Sequence, residues 1–427
     1  MRIILIYLPH PYLIEPDAQA PLGLLYLGAV LEQNGHDVKV KNYSSWHTAE
    51  SICDLPDADV YGITTTSLEL KQANRYAFLI KEKYPKAAVI LGGPGAYTHE
   101  FVDWNAIDSI CIGDGEDTIL TMLSDLKSGK LKPKYMGQPV CDLDTVPFPA
   151  RHLLKTIQGG NIFAYGKHYA AGDSTVILTS RGCPFKCSFC GSPYFTNLSG
   201  GVRFRGAENI YNEIKSVVTK FNIRQFRLSD DMFIASRQRT IEICNLVGEL
   251  GVSWRISTRV KPFDYEIAKI MAGAGCKEVS FGVESFDDDV LKTLKKGTTA
   301  LENAKALEIC KDAGMTSRVL FMIRTPGQSK HTVPINIKWL EQVPYDIIAC
   351  TSFVPMPGSD IWTNPDDYNI EILNRNLDDY NFYFYGSGGE NKLQNIIKIK
   401  NRSLEELNNE TTEFKNYIKS TGKLNTG

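Results

Sequence analysis

The sequence predicts an α/β protein with two parallel-sheet units: an N-terminal flavodoxin-like (Rossmann-like) doubly wound sheet, then a partial (β/α)6 TIM-type barrel. Three observations predict it. Short apolar runs alternate with helical patterns through residues 1–130, as repeated βα units require. Residues 131–172 lose that periodicity and read as an ordered linker. The alternation resumes over residues 173–362 for six further units, and a C-terminal capping segment, 363–427, follows.

In the first unit, Ile3 to Tyr7 is a continuous apolar run and reads as a strand. Leu22 to Gln33 reads as a helix that Asn34-Gly35 stops, and Asp37 to Val40 as a second strand. Val60 to Thr64, Ala88 to Leu91 and Ser109 to Ile112 supply three more strands, with helices at Leu68 to Lys83 and Glu116 to Leu126. Ligands of such sheets sit at the carboxyl ends of the strands. Those ends read Thr64-Thr65-Thr66-Ser67-Leu68, Gly92-Gly93-Pro94-Gly95 and Gly113-Asp114-Gly115-Glu116. Glycines there let backbone approach a large ligand, and hydroxyls can bond its polar edge. His10, on the Pro-rich loop after the first strand, is a lone loop histidine of the kind that is usually a surface residue.

In the second unit, Ser174 to Thr179 is apolar and β-branched, a first strand that delivers a cysteine-bearing loop to its carboxyl end. A (β/α) barrel gathers its functional groups at that end. Strands are expected at Gln225 to Ser229, Ser253 to Ser257, Glu278 to Gly282 and Ser317 to Ile323. Helices are expected at Ala207 to Thr219, Ser236 to Leu250, Asp264 to Ala274, Asp288 to Leu294 and Leu301 to Ala313. The stretch Phe353 to Gly358 closes the sixth unit. Tyr380 to Glu390 is aromatic, fit either to wall a substrate cavity or to pack in a core, and Leu404 to Lys419 is a helical pattern. Tyr165, His168 and Tyr169, just before the barrel, carry the same two readings.

Composition narrows the function. The formal charge is −2 with acids and bases interspersed, so no basic tract indicates nucleic acid, and the expected substrate is a small molecule or peptide. No apolar run approaches the ~18 residues of a membrane span, so a soluble, cytoplasmic protein without a membrane partner is expected. Ten cysteines in 427 residues are too sparse for a disulfide scaffold, and the seven outside the loop described next read as small core residues.

Cys183, Cys187 and Cys190 are separated by three and then two residues, with Pro184 between them and Gly182 and Gly191 flanking. Such a loop can curl around one cubane of iron and sulfide. Three ligands leave one iron open, whereas a structural cluster or a structural zinc wants a fourth ligand nearby; the next cysteine is Cys244. A zinc loop, or three cysteines meeting by chance, is the other reading. With Phe189 before the last cysteine, the pattern resembles the signature of the radical S-adenosylmethionine (SAM) superfamily. The resemblance implies a [4Fe-4S] cluster on Cys183, Cys187 and Cys190, with the amino and carboxylate groups of SAM on the open iron. An electron from an external reductant such as flavodoxin or ferredoxin then cleaves SAM to a 5′-deoxyadenosyl radical.

The same resemblance gives roles to the strand ends. Phe189 beside the cluster, and Ser229 and Asp230 after the second barrel strand, would face SAM, a carboxylate suiting its ammonium. Asp230 and Asp231 read equally as helix-capping acids. Ser257 and Arg259 end the third strand, where a guanidinium could pair with the methionine carboxylate or make a surface salt bridge. Gly282-Val283-Glu284-Ser285 resembles the family's GVES stretch, whose acid and hydroxyl face SAM. Relatives read close to FMIGLPGET at the fifth strand; here Arg324 replaces a glycine and Gln328 an acid, so Arg324 is expected either against the nucleoside or against a substrate anion. Lys295, Lys296 and Gly297 resemble a family Lys-Gly pair and equally a solvated charge run.

The first unit resembles the cobalamin-binding domain fused to many such enzymes. On that resemblance Thr64, Thr65, Thr66, Ser67, Leu68, Gly92, Gly93, Gly113 and Glu116 would hold cobalamin. The DxHxxG motif of other cobalamin proteins is absent, which implies no protein histidine below the cobalt, or no cobalamin. The function implied is cobalamin-dependent methyl transfer to an unactivated centre. Cyclisation or rearrangement, a cobalamin-free radical SAM enzyme with a vestigial N-terminal domain, and a non-enzymatic iron-sulfur redox protein are the alternatives.

Overall fold

Arg2–Tyr7 (β1) is apolar on consecutive residues because both faces of its sheet are covered. The computed structural model describes residues 1–9, 20–43, 54–154, 174–380 and 396–423. His10, Tyr165, His168 and Tyr169 lie outside the described residues, as does the aromatic stretch after Tyr380. The chain divides into two compact units, the first Met1–Thr175 with Leu198–Gly200 and Leu377–Asn381, the second the remainder.

In the first unit β1 is followed by Leu22–Gln33 (α1), Asp37–Asn42 (β2), Val60–Thr64 (β3), Leu70–Lys83 (α2), Ala88–Gly92 (β4), Ser109–Ile112 (β5), Glu116–Lys127 (α3) and Lys134–Met136 (β6). The strand order is β2-β1-β3-β4-β5-β6, all neighbours parallel. Alternate residues serve opposite cores. Ile3 and Leu5 pack with Leu24 and Leu31 of α1 and Met122 of α3, while Ile4 and Ile6 pack with Ala73, Tyr76 and Ile80 of α2. The sheet is therefore doubly wound, as expected. Its sixth strand falls in the stretch read as linker, because three residues carry too little pattern to stand out.

The second unit runs Ser174–Ile177 (β7), Ser180–Arg181 (β8), Ser192–Leu198 (α4), Arg203–Phe204 (β9), Ala207–Phe221 (α5), Gln225–Leu228 (β10), Arg237–Gly248 (α6), Ser253–Thr258 (β11) and Tyr265–Gly273 (α7). It continues through Cys276–Glu284 (β12), Asp288–Thr293 (α8), Ala300–Asp312 (α9), Thr316–Ile323 (β13), Thr332–Gln342 (α10), Ile347–Ser352 (β14), Asp360–Thr363 (α11), Ile370–Ile372 (β15), Ile397–Ile399 (β16) and Leu404–Ser420 (α12). Its main sheet is ordered β14-β13-β12-β11-β10-β7, so each strand lies beside the next barrel strand in sequence. The registers from β10 to β14 are parallel.

One face of β11 to β13 meets the helices through Phe281 and Phe321; Phe286 bridges Phe321 and Trp339 of α10, at 6.3 and 5.7 Å between ring centres. The opposite face is polar. Glu278 there pairs with Arg255 at 3.2 Å and Arg318 at 3.1 Å, and burial pulls Arg255 down to about 10. Phe414 of α12 packs on Phe321 at 5.0 Å, and Ile348 N donates to Lys423 O at 2.9 Å. The segment read as a cap thus contributes a helix to the outer layer. Among the described residues no helix is long and apolar enough to cross a membrane.

Candidate active site

The first unit's strand ends form a backbone-rich edge. Thr65 N donates to Gly92 O at 3.1 Å and Gly95 N to Thr65 O at 2.7 Å, locking the turn after β3 to the turn after β4. Thr66 and Glu69 form a capping box, with Thr66 N donating to Glu69 Oε2 at 3.0 Å. Gly93 has φ +85°, and a Cβ there would stand 2.6 Å from Thr64 Oγ1. Gly93 is therefore needed first by the protein's own close packing. Ser67, Leu68 and Glu116 are buried beneath the edge, whereas Thr66, Gly93 and Gly113 are exposed, and a Cβ on Gly92 would meet nothing within 4 Å. An open, glycine-lined shelf with exposed amides and a hydroxyl fits a large ligand such as cobalamin.

In the second unit the cysteine loop follows β7 and β8. Asp230, just past β10, accepts from Thr179 N at 2.6 Å, Ser180 N at 3.0 Å and the Thr179 hydroxyl. Arg205 Nη1 donates to Leu178 O at 2.8 Å and pairs with Glu213 at 2.5 Å, and Arg239 donates to Thr179 O and, at 3.0 Å, Arg205 O. Leu178 to Ser180 are thereby strapped in place before the loop begins. Asp230 was expected to face SAM; here its oxygens serve the chain's own donors. Its carboxylate is spent on the backbone, and burial raises its pKa, opposed by Thr179 and Arg239.

Within the loop, Cys190 N donates to Cys187 O at 3.2 Å and Cys183 N to Thr196 Oγ1 at 2.9 Å. The thiols of Cys183 and Cys190 are pushed up, chiefly by burial and further by Cys187 and Asp231. Among the described residues no three His, Cys, Asp or Glu are gathered as a single-ion site. All three cysteines are free thiols. One loop carrying three soft ligands, with no fourth cysteine near in sequence, fits an iron-sulfur cubane with one open iron.

Around this loop the expected residues part company. Ser229 and Ser257 are half-buried at the ends of β10 and β11. Asp231 is open to solvent; the protein around it raises its pKa and the Ser192 hydroxyl lowers it. Arg259 donates to Cys187 Sγ at 2.8 Å and lies over the Phe185 ring at 4.0 Å. Glu284, at φ +63°, forms a buried ion pair with Lys296 at 2.7 Å, and the ammonium stands 5.8 Å from the Phe189 ring centre. Lys296 is 4 % exposed, whereas its neighbour Lys295 sits in solvent and pairs with Asp360 at 2.8 Å.

Two more of the expected residues make protein contacts of their own. The Ser285 hydroxyl faces inward, 3.1 Å from Asn336 Oδ1, and accepts from Asp287 N at 3.0 Å, while Asn303 Nδ2 donates to Ser285 O at 2.9 Å. It pins the bend after β12. Arg324 is fully buried at φ +61° and donates to Asn408 Oδ1 of α12 at 3.0 Å, so it docks a helix. Sequence reasoning missed Arg205, between β9 and α5, and Arg239, Asn303 and Asn336 on helices, because single polar residues carry no periodic signal.

Residues 177–340 match the Radical SAM superfamily and residues 17–123 the B12 binding domain. An uncharacterized methyltransferase of Pyrococcus horikoshii is 29% identical over 392 residues, covering 85% of this chain and 82% of that protein. The anaerobic magnesium-protoporphyrin IX monomethyl ester cyclase of Rubrivivax gelatinosus is 26% identical, covering 90% and 72%. The solved structure of the radical SAM methyltransferase TsrM from Kitasatospora setae, with cobalamin and a [4Fe-4S] cluster bound, superposes with a TM-score of 0.64 at 18% identity, covering 84% and 76%. That likeness extends to the fold of both units. The chain thus carries a stretch that matches the Radical SAM superfamily and, ahead of it, one that matches the B12 binding domain.

Proposed function

We propose that the protein is a cobalamin-dependent radical SAM methyltransferase acting on an unactivated centre of a small molecule or peptide. The observation that carries the reading is the cysteine loop at the carboxyl end of β7, flanked by Asp231, Arg259 and the Glu284–Lys296 pair. When bound, cluster and SAM supply a radical that abstracts substrate hydrogen, and cobalamin carries the methyl group. Cys183, Cys187 and Cys190 would hold the cluster. Ser229 and Asp231 would take the SAM ammonium, a carboxylate being suited to that cation. The Glu284–Lys296 pair would present one carboxylate oxygen to the ligand while its charge stays balanced. Thr66, Gly92, Gly93 and Gly113 would line the cobalamin shelf. An external flavodoxin or ferredoxin would supply the electron, and a cytoplasmic setting would suit such a donor.

Ring formation is the second reading, favoured by the cyclase relative that spans 90% of the chain. Anaerobic reconstitution with iron, sulfide and cobalamin, followed by reduction with SAM, tests both. Methyl transfer yields S-adenosylhomocysteine together with 5′-deoxyadenosine; cyclisation yields 5′-deoxyadenosine alone. If 5′-deoxyadenosine formation survives Cys187→Ala, the cluster assignment is wrong.

A further inference from the structure

Arg259 is 7 % exposed, and among the described residues no carboxylate forms a salt bridge with it. A buried guanidinium needs an anion, since desolvation of an unpaired charge costs several kcal/mol. Its Nη1 lies 2.8 Å from Cys187 Sγ, and its flat face lies on Phe185 at 4.0 Å. Phe185 belongs to the same loop, two residues before Cys187, so ring and sulfur grip the guanidinium from one strand of backbone. Gly297 is also a neighbour: a Cβ there would stand 3.8 Å from Nη2, in ordinary van der Waals contact. Arg259 Nε is buried without a hydrogen-bond partner, so the cation's contacts concentrate on the cysteine loop.

We propose that Arg259 is a positioning residue for the cluster: it holds Cys187 by an N–H···S bond and raises the cluster's reduction potential. The inference rests on the radical SAM reading. One-electron reduction by an external donor adds a negative charge to the cubane and its thiolates. A cation and an N–H donor on a ligand sulfur favour that more negative state, as hydrogen bonds to cluster sulfurs do generally. The buried setting strengthens the effect, because little water screens it. This role differs from pairing with the methionine carboxylate, which would act only when SAM is bound.

The test is an EPR-monitored redox titration of the reconstituted full chain without SAM, for wild type, Arg259→Gln and Arg259→Lys. Arg259→Gln is expected to shift the midpoint downward by about 59 mV, a tenfold fall in the reduced-to-oxidised ratio of a one-electron couple. Arg259→Lys keeps the charge and is expected to retain most of the wild-type midpoint. An unchanged midpoint in Arg259→Gln, with SAM affinity lost, would overturn the proposal and make Arg259 a carboxylate partner. Should Arg259→Gln fail to assemble a cluster, wild type grown with 15N-arginine decides: pulsed EPR of the reduced cluster shows an arginine nitrogen coupling if the bond exists, and its absence sinks the idea. Wild type that takes up no iron and sulfide would instead overturn the radical SAM reading itself.

Discussion

Arg324 Nη1 donates to Asn408 Oδ1 at 3.0 Å, joining the end of β13 to α12. Gln328 acts in parallel: its Oε1 accepts from Arg324 N at 2.7 Å, and its Nε2 donates at 2.8 Å to Glu410, which Arg402 holds at 2.5 Å. Both departures from the family pattern at the fifth strand therefore contact one helix, Leu404–Ser420, which lies far along the chain from β14. Asn408→Ala should cost about 1.5–3 kcal/mol, the worth of a hydrogen bond to a charged group. Arg324→Gly should speed hydrogen exchange across Leu404–Ser420 yet leave SAM affinity intact. Unchanged exchange in that helix would refute the docking role.

Much of this architecture was legible in the sequence, for physical reasons that differ by element. The six residues of β1 and the Leu22–Gln33 helix were read because both-face burial and a 12-residue helical period leave strong patterns. Strand β14 and helix α10 escaped. Ile347–Ser352 mixes apolar and half-buried polar residues, and Pro334 stands within Thr332–Gln342. The three cysteines were legible from spacing alone. Which neighbours face a ligand was not, because Asp230 and Asp231, or Lys295 and Lys296, are chemically identical in sequence and part only when the backbone turns one inward.

That split between the two aspartates is measurable. Asp230 serves three donors near β7, so Asp230→Ala should cost about 3–5 kcal/mol, the loss expected when one side of a buried charged network is removed. Asp231→Asn should change stability by less than about 0.5 kcal/mol while weakening SAM binding. Chemical denaturation beside calorimetric SAM titration separates the two; equal loss of stability in both variants would contradict the assignment.

The lysines divide in the same way. Lys296→Met strands Glu284 as a buried charge and should cost about 3–5 kcal/mol, part of which Glu284→Gln in the same chain restores. Lys295 and Asp360 are partly solvent-exposed, and their pair is worth at most about 1 kcal/mol. Lys295, then Tyr368 and Asn364, hold the Asp360 carboxyl down at about 2. A depressed carboxyl stabilises the fold above its unfolded pKa, near 4, and loses that contribution as pH falls through 2. Asp360→Asn should therefore flatten the stability curve between about pH 4 and 2 and leave neutral-pH slope unchanged. A steeper acid limb in this variant would mean that another group carries the effect.

The glycines after β4 separate folding from binding on the first unit's shelf. Gly93→Ala puts a Cβ 2.6 Å from Thr64 Oγ1 at φ +85°, so about 1–3 kcal/mol of backbone strain and crowding should appear as lost stability. Gly92→Ala adds a Cβ into open space, with nothing within 4 Å, so the fold should tolerate it. Its methyl group instead stands where a ligand would lie against the strand end. Gly92→Ala should thus keep wild-type unfolding behaviour and lose cobalamin uptake, followed by the absorbance of protein-bound cobalamin after gel filtration. Full cobalamin occupancy in Gly92→Ala would move the ligand off this edge, because no other feature of that variant could hide the loss of a contact.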